Sequence, residues 1–414
     1  MPSEAKCGIV LVMETKIEVI PSGSVTSPEG FYSGAVNANI KKEAIDRLDL
    51  AILFSEASCT AAALFTKNKI QAAPVVLSRE RLENGRAVAV VVNSGCANAC
   101  TGKQGMGDAT EVADMAAKSL GVSSEDVLVA STGVIGMSLP MERLRDGMGR
   151  VVLSPDGGHE LARAILTTDT VPKEIAVRVN EEFIVSGVAK GSGMIHPDLA
   201  TMLCFLTTDA VVDINTLQQS LKKAADVSFN MLSIDGDTSP NDMALIMANG
   251  IANNETITRG SQVEDAFQEA LNTVCIYLAK SLARDGEGAY KLIEVTVDGA
   301  KNTAEAKLTA RTIVNSSLVK AAIHGSDPNW GRIIAAAGRS GAEVLESKID
   351  LEIGGICLVK KGAILAFNRE AVVTVLNENE VRIALNLNIR DGTATAWGCD
   401  LSEEYVTINS LYTT

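Results

Sequence analysis

Apolar positions along the chain alternate between two periods. Residues 87–92 form an unbroken Ala/Val run that ends at Asn93, Ser94 and Gly95, the pattern of a buried strand closed by a turn. Residues 109–120 carry apolar side chains at helical spacing and stop at Gly121. Residues 126–131 predict a second strand. Residues 175–179 and 183–188 alternate about Asn180, Glu181 and Glu182, as in a hairpin. An apolar strand is predicted over 201–207, and Asp213 caps a predicted helix running to about Leu232. A long helix is predicted over 263–282 before Gly286, with further strands over 292–297, 349–353 and 382–389. Such interleaving favours sheets covered by helices over a simple dinucleotide-binding unit.

The composition supplies the core this pattern needs. Hydrophobic residues make up 46% and charged residues 21% of 414 residues, room for two or three domains or one large layered domain with a smaller partner. Acidic residues outnumber basic ones by 51 to 37, a net charge of −14. Such a surface repels phosphate backbones and anionic lipid, so neither nucleic acid nor membrane is an expected partner. The apolar stretch 7–13 lacks the basic start of a secretory signal and falls far short of the roughly twenty residues of a membrane span, so a cytoplasmic location is expected. Eight scattered cysteines without a CxxC pair read mostly as reduced, buried thiols.

Several motif readings fail. Thr101, Gly102, Lys103 and Gln104 suggest a phosphate loop, but Ala97 stands where a glycine is needed and Gln104 where Ser or Thr is needed. The run Asp235, Gly236, Asp237, Thr238, Ser239 lacks the spacing of a calcium loop and reads as a polar turn. The three histidines, His159, His196 and His324, show no metal-ligand spacing, and no metal is expected. No GxSxG elbow occurs, so although a Ser-His-Asp site stays open, a nucleophilic enzyme built on this chain need not use histidine as its base.

The segment richest in chemistry is Lys190, Gly191, Ser192, Gly193, Met194, Ile195, His196, Pro197, Asp198, Leu199, Ala200, Thr201. A Gly- and Pro-containing loop feeds an apolar strand with a threonine at the junction. The ordinary reading of Thr201 is a β-branched strand residue. The chemical reading is cleavage between Ala200 and Thr201. The hydroxyl of Thr201 would then lie beside its own α-amine, whose ordinary pKa of about 7.7–8.0 suits a base near neutrality. An acyl transfer also needs an oxyanion hole. Thr132 and Gly133, after the predicted strand 126–131, offer a hydroxyl and an unobstructed backbone N–H.

At this point the residues resemble a known family. Residues 190–209 are similar to the cleavage-site signature of the ornithine acetyltransferase (glutamate N-acetyltransferase) family. Further matching blocks lie at 93–99, 131–136, 167–170, 235–238, 284–289, 327–332 and 396–401, in family order across most of the chain. The resemblance implies a layered α-β-β-α sandwich of the self-cleaving N-terminal-threonine type with a smaller C-terminal α/β lobe. It implies an alpha chain of residues 1–200 and a beta chain of residues 201–414, separated by a cut between Ala200 and Thr201. Thr201 would be the nucleophile, and Thr132 and Gly133 the oxyanion hole. Thr168, Lys190, Thr201, Glu287, Asn409 and Thr414 would contact substrate.

The activity implied is transfer of acetyl from N-acetylornithine to glutamate through an acetyl-threonine, with no metal or bound organic cofactor and with acetyl-CoA as a further possible donor. The partners implied are the small-molecule substrates and the chain's own two pieces, as a heterotetramer of two alpha and two beta chains. The chain departs from the family's usual residues at His196, Asp198, Leu199, Ser410 and Leu411. Two rivals stand beside this reading. One is an N-terminal-threonine aminopeptidase or amidase, with water as acceptor. The other is a metabolite-binding protein that never cuts itself.

Overall fold

Residues 15–40, 47–196 and 202–411 are described by a computed structural model, and they build two mixed sheets. In chain order the strands are β1 (Ile17–Val19), β2 (Phe31–Val36), β3 (Leu50–Phe65), β4 (Arg86–Asn93), β5 (Val127–Ser131), β6 (Lys173–Val179), β7 (Phe183–Lys190), β8 (Leu203–Thr208), β9 (Leu232–Ser233), β10 (Met243–Ala248), β11 (Leu292–Ala300), β12 (Asp350–Ile353), β13 (Ile356–Lys360), β14 (Ala363–Ile364), β15 (Glu380–Asn386) and β16 (Gly392–Cys399). The helices are α1 (Ala73–Arg81), α2 (Gly102–Leu120), α3 (Met141–Met148), α4 (Gly158–Ala164), α5 (Ile214–Val227), α6 (Glu264–Arg284), α7 (Thr303–Val314), α8 (Ser317–His324), α9 (Trp330–Gly338), α10 (Arg369–Leu376) and α11 (Glu403–Leu411).

The first sheet runs β1-β6-β7-β8-β10-β3-β4-β5, with β2 also paired to β3. The 16-residue strand β3 turns this sheet into layers. Its first half pairs with β2 and its second half with β10, and its register against β4 shifts between Phe54 and Cys59. Such a bulge bends a strand. The period of two then sorts side chains between faces. Leu53, Val90 and Leu128 point inward to meet Leu203, Phe205 and Leu245. Ile52, Val91 and Val129 point outward beneath α2 and α3. Cys204, Leu206 and Ile246 point the other way, into the cluster that holds α5 and α6. This is the expected α-β-β-α order, with one difference. Both β layers belong to a single hydrogen-bonded sheet folded at β3.

Asp213 caps α5 as predicted, accepting the Thr216 N–H at 3.0 Å. The helix ends at Val227 rather than near Leu232, because Ser228 adopts φ −127° and ψ −88°. The chain then passes through β9 into the second sheet, ordered β14-β13-β12-β15-β11-β16-β9. This is the smaller lobe, and α6 lies in the core cluster that joins it to the first sheet.

The expected boundary between residues 200 and 201 lies outside the described residues. Strands β1–β7 precede it, while β8 and β10 follow it. Lys190 at the end of β7 pairs with Leu203 at the start of β8. The two expected pieces therefore share one sheet and one core. No helix among the described residues is long and apolar enough to cross a membrane.

Candidate active site

Strand ends converge where β5, β7 and β8 meet the loops before β10. A pocket of about 140 Å³ opens there. Thr132 and Gly133 reach it from the loop after β5, and Thr168 from the loop before β6. Lys190 closes β7, Glu287 follows α6, and Asn409 lies on α11. All six line the pocket. Ala200, Thr201 and Thr414 lie outside the described residues. Met202 and Leu203, which follow Thr201 in the chain, line the same pocket.

Lys190 is 7% exposed. Its Nζ lies 2.7 Å from Thr167 Oγ1 and 3.1 Å from Thr132 Oγ1. An ammonium can only donate, so both hydroxyls accept from it and keep their own protons for another acceptor. Burial pulls the Lys190 pKa below its ordinary value, with Asp169 opposing the change. Burial would raise Asp169, but Lys190 and Lys173 outweigh it and bring the carboxyl down to about 2. Asp169 Oδ1 accepts from Gly191 N at 2.6 Å and from Lys173 Nζ at 2.7 Å. Lys173 also meets Asp285 Oδ2 at 2.5 Å. A buried row of alternating charge thus backs the pocket floor.

Gly133 has φ +128°, and a Cβ there would lie 2.4 Å from the carbonyl carbon of Gly95. Only glycine lets the backbone turn so tightly against that neighbour. On the opposite wall, a Cβ on Gly193 would lie 2.4 Å from Glu287 Oε2. The bare glycine lets the loop pass against the carboxylate. Glu287 is tied to the same loop by its N–H, which donates to Ser192 O at 2.8 Å. Thr168 Oγ1 is 2.6 Å from Ser192 Oγ. The far side of the loop is fixed by Asp235, whose carboxylate accepts the N–H groups of Met194 and Ile195. The segment read as a polar turn is a clamp on the loop.

Thr167, Asp169 and Asp242 are among the residues of this arrangement to which the sequence reading assigns no role. Thr167 and Asp169 flank Thr168 in a quoted block, but nothing local distinguishes their side chains as partners of Lys190. Asp242 lines the pocket at 2% exposure. Its signal is a carboxylate directly before an apolar strand. Among the described residues no group of three His, Cys, Asp or Glu is arranged to hold a metal ion.

Chemically, the pocket offers a buried cation with two hydroxyl donors beside it, suited to a carbonyl oxygen that gains charge. A carboxylate stands across from them, suited to an amine.

Comparison with known proteins identifies the family. The ArgJ family model matches residues 32–414. The arginine biosynthesis bifunctional protein ArgJ of Dehalococcoides mccartyi is 53% identical over 405 residues, covering 97% of this chain and 100% of that protein. The protein of the same name from Symbiobacterium thermophilum is 50% identical over 398 residues, covering 95% and 99%. A crystal structure of the bifunctional protein from Bacillus halodurans is similar with TM-score 0.50 and 49% identity. It covers 50% of this chain and 98% of the solved one.

Proposed function

This chain belongs to the ArgJ family, and we propose that it moves the acetyl group of N-acetylornithine to glutamate through an acetyl ester on Thr201. The observation that carries the reading is the convergence of Lys190, Thr132, Gly133 and Glu287 on one pocket at the head of β8, the strand directly downstream of Thr201. Thr201 attacks the acetyl carbonyl. Thr132 Oγ1 and the Gly133 N–H receive the developing oxyanion, and the Lys190 charge beside them favours it. Ornithine leaves, and the glutamate amine takes the acetyl group from the ester. Glu287, Asn409, Thr168 and Thr414 hold the amino-acid parts of the two substrates.

The nucleophile is released by a cut between Ala200 and Thr201, giving an alpha chain 1–200 and a beta chain 201–414. The Bacillus halodurans relative supports this, since its solved chain is matched over 98% of its length by only half of this one. The shared sheet keeps the pieces together, and two of each form a heterotetramer in the cytoplasm. The reaction uses no metal or bound organic cofactor. Acetyl-CoA serves as a second donor, in keeping with the relatives' bifunctional name.

The test is direct. Purified protein should run as two bands on a denaturing gel, and N-terminal sequencing of the second should begin at Thr201. With N-acetylornithine and glutamate it should form ornithine and N-acetylglutamate in equal amounts, with ping-pong kinetics. Ornithine release without N-acetylglutamate would instead favour the hydrolase, and one uncut band the binding protein.

A further inference from the structure

Asp242 stands directly before β10, which pairs in parallel with β8 so that Met243 lies beside Leu203. Its side chain is buried in the pocket wall, and Oδ2 has no hydrogen-bond partner among the described residues. A buried carboxylate oxygen without a partner is costly, whereas a protonated carboxyl tolerates the site. The groups around this carboxyl are Lys190 from β7, Ser239 from the loop before β10, Thr66 from the end of β3 and the backbone N–H of Met202. Thr66 donates its only hydroxyl proton to the Ser239 carbonyl at 2.7 Å, so towards Asp242 it can only accept. Glu287 is the other carboxylate of the pocket, and Asp169 and Lys173 act on Lys190 from beneath. Burial pushes the Asp242 carboxyl well above the ordinary carboxylate range, and Lys190 first, then hydrogen bonding from the Ser239 side chain and the Met202 N–H, work against that rise without cancelling it. Asp242 is thus a carboxyl able to hold a proton, with a neighbouring cation that eases its loss.

We propose that Asp242 carries the proton that the two amine substrates exchange. The inference rests on the acetyl-transfer reading above. In the first half-reaction the Thr201 Oγ–C bond forms and the amide C–N bond breaks. The departing nitrogen takes the hydroxyl proton of Thr201, and Asp242 then gives its own proton to the neutral amine, which leaves as an ammonium. In the second half-reaction the glutamate ammonium returns a proton to the Asp242 carboxylate. The freed amine forms the new C–N bond, the ester C–Oγ bond breaks, and the second amine proton goes to Oγ. Over one cycle Asp242 is restored and no outside acid or base is consumed. The acetyl-enzyme meanwhile holds an anionic Asp242, which favours an ammonium-bearing acceptor over water.

The test uses cleaved Asp242→Asn protein, which keeps the shape and cannot exchange a proton. Each half-reaction is followed by rapid quench across the neutral and alkaline range. Transfer to glutamate should fall by about 10²-fold or more at neutral pH, the usual worth of a positioned acid or base. It should recover as pH rises and glutamate loses its proton in solution, whereas hydrolysis of the acetyl-enzyme should change far less. Rates within about twofold of the parent, with an unchanged pH profile, would overturn the inference. A second measurement on the parent stands if the variant fails to fold or cut. Infrared difference spectra should show a protonated-carboxyl band disappearing when N-acetylornithine acylates the enzyme, and persistence of that band would also overturn it. A parent that makes no N-acetylglutamate would sink the transfer reading itself, and this inference with it.

Discussion

Asn409 Nδ2 donates to Glu287 Oε2 at 2.8 Å, across 122 positions of sequence. The last described helix therefore fixes the carboxylate that Gly193 lets into the pocket wall. Glu287→Gln should still fold and cut, yet lose roughly 2–4 kcal/mol of transition-state stabilisation in kcat/KM. Asn409→Ala should cost about 1 kcal/mol, since it removes one hydrogen bond and leaves the carboxylate in place. Steady-state kinetics of each half-reaction in cleaved protein decides the matter. Values within about twofold of the parent for both variants would reduce Glu287 to a turn residue.

Thr132→Ala removes a hydroxyl whose oxygen is occupied by Lys190 and whose proton is available to substrate. It should lower kcat by roughly 10²–10³ and leave KM nearly unchanged. Because the same donor can assist cleavage, the extent of cutting must be measured alongside. Full activity in fully cut Thr132→Ala protein would remove the hydroxyl from the oxyanion hole.

Gly133 and Gly193, two of the glycines that line the pocket, should fail differently when changed to alanine. Gly133→Ala combines a left-handed backbone with a 2.4 Å clash against Gly95, and should lower stability by about 1–3 kcal/mol in thermal unfolding. At Gly193 the clash is with the movable end of Glu287. Gly193→Ala should therefore leave the melting temperature close to the parent's and reduce turnover. A large loss of stability at Gly193 would show that its role is in folding.

Asp169 makes stability depend on acid. Its folded pKa of about 2 lies below the roughly 3.9 of an unfolded aspartate. Its contribution is therefore complete above about pH 5 and is lost as pH falls towards about 2, an effect of about 2 kcal/mol. The stability gap between the parent and Asp169→Asn should narrow over that window. A gap independent of pH would mean that the carboxyl does not change its proton affinity on folding.

Much of this was legible in the sequence, and for local reasons. Residues 175–179 and 183–188 are two largely apolar runs about the polar turn Asn180, Glu181 and Glu182, so the hairpin of β6 and β7 declares itself. Asp213 announces α5 by offering a carboxylate just before an apolar periodicity. Strand β3 was harder to foresee, because it is long, rich in small residues, and bent by a bulge set by its partners. The apolar spacing predicts that α5 continues beyond Val227, while the backbone leaves the helix at Ser228. At the site, Thr132 and Gly133 stand out because a strand ends beside them. Asp169 does not, since its importance comes from Lys173 and Lys190 meeting it in space. Asp242 is a further case, for only the pairing of β8 with β10 brings it beside Met202.

The pairing of Lys190 with Leu203 has a consequence for the history of the molecule. If the chain is cut between Ala200 and Thr201, neighbouring strands of one sheet come to belong to separate polypeptides. The uncut chain assembles that sheet as a first-order process. Mature protein, once denatured, would have to find its other half, so its refolding would be second order and would slow on dilution. The finished enzyme would then keep a form reached by a route that cutting has closed to it.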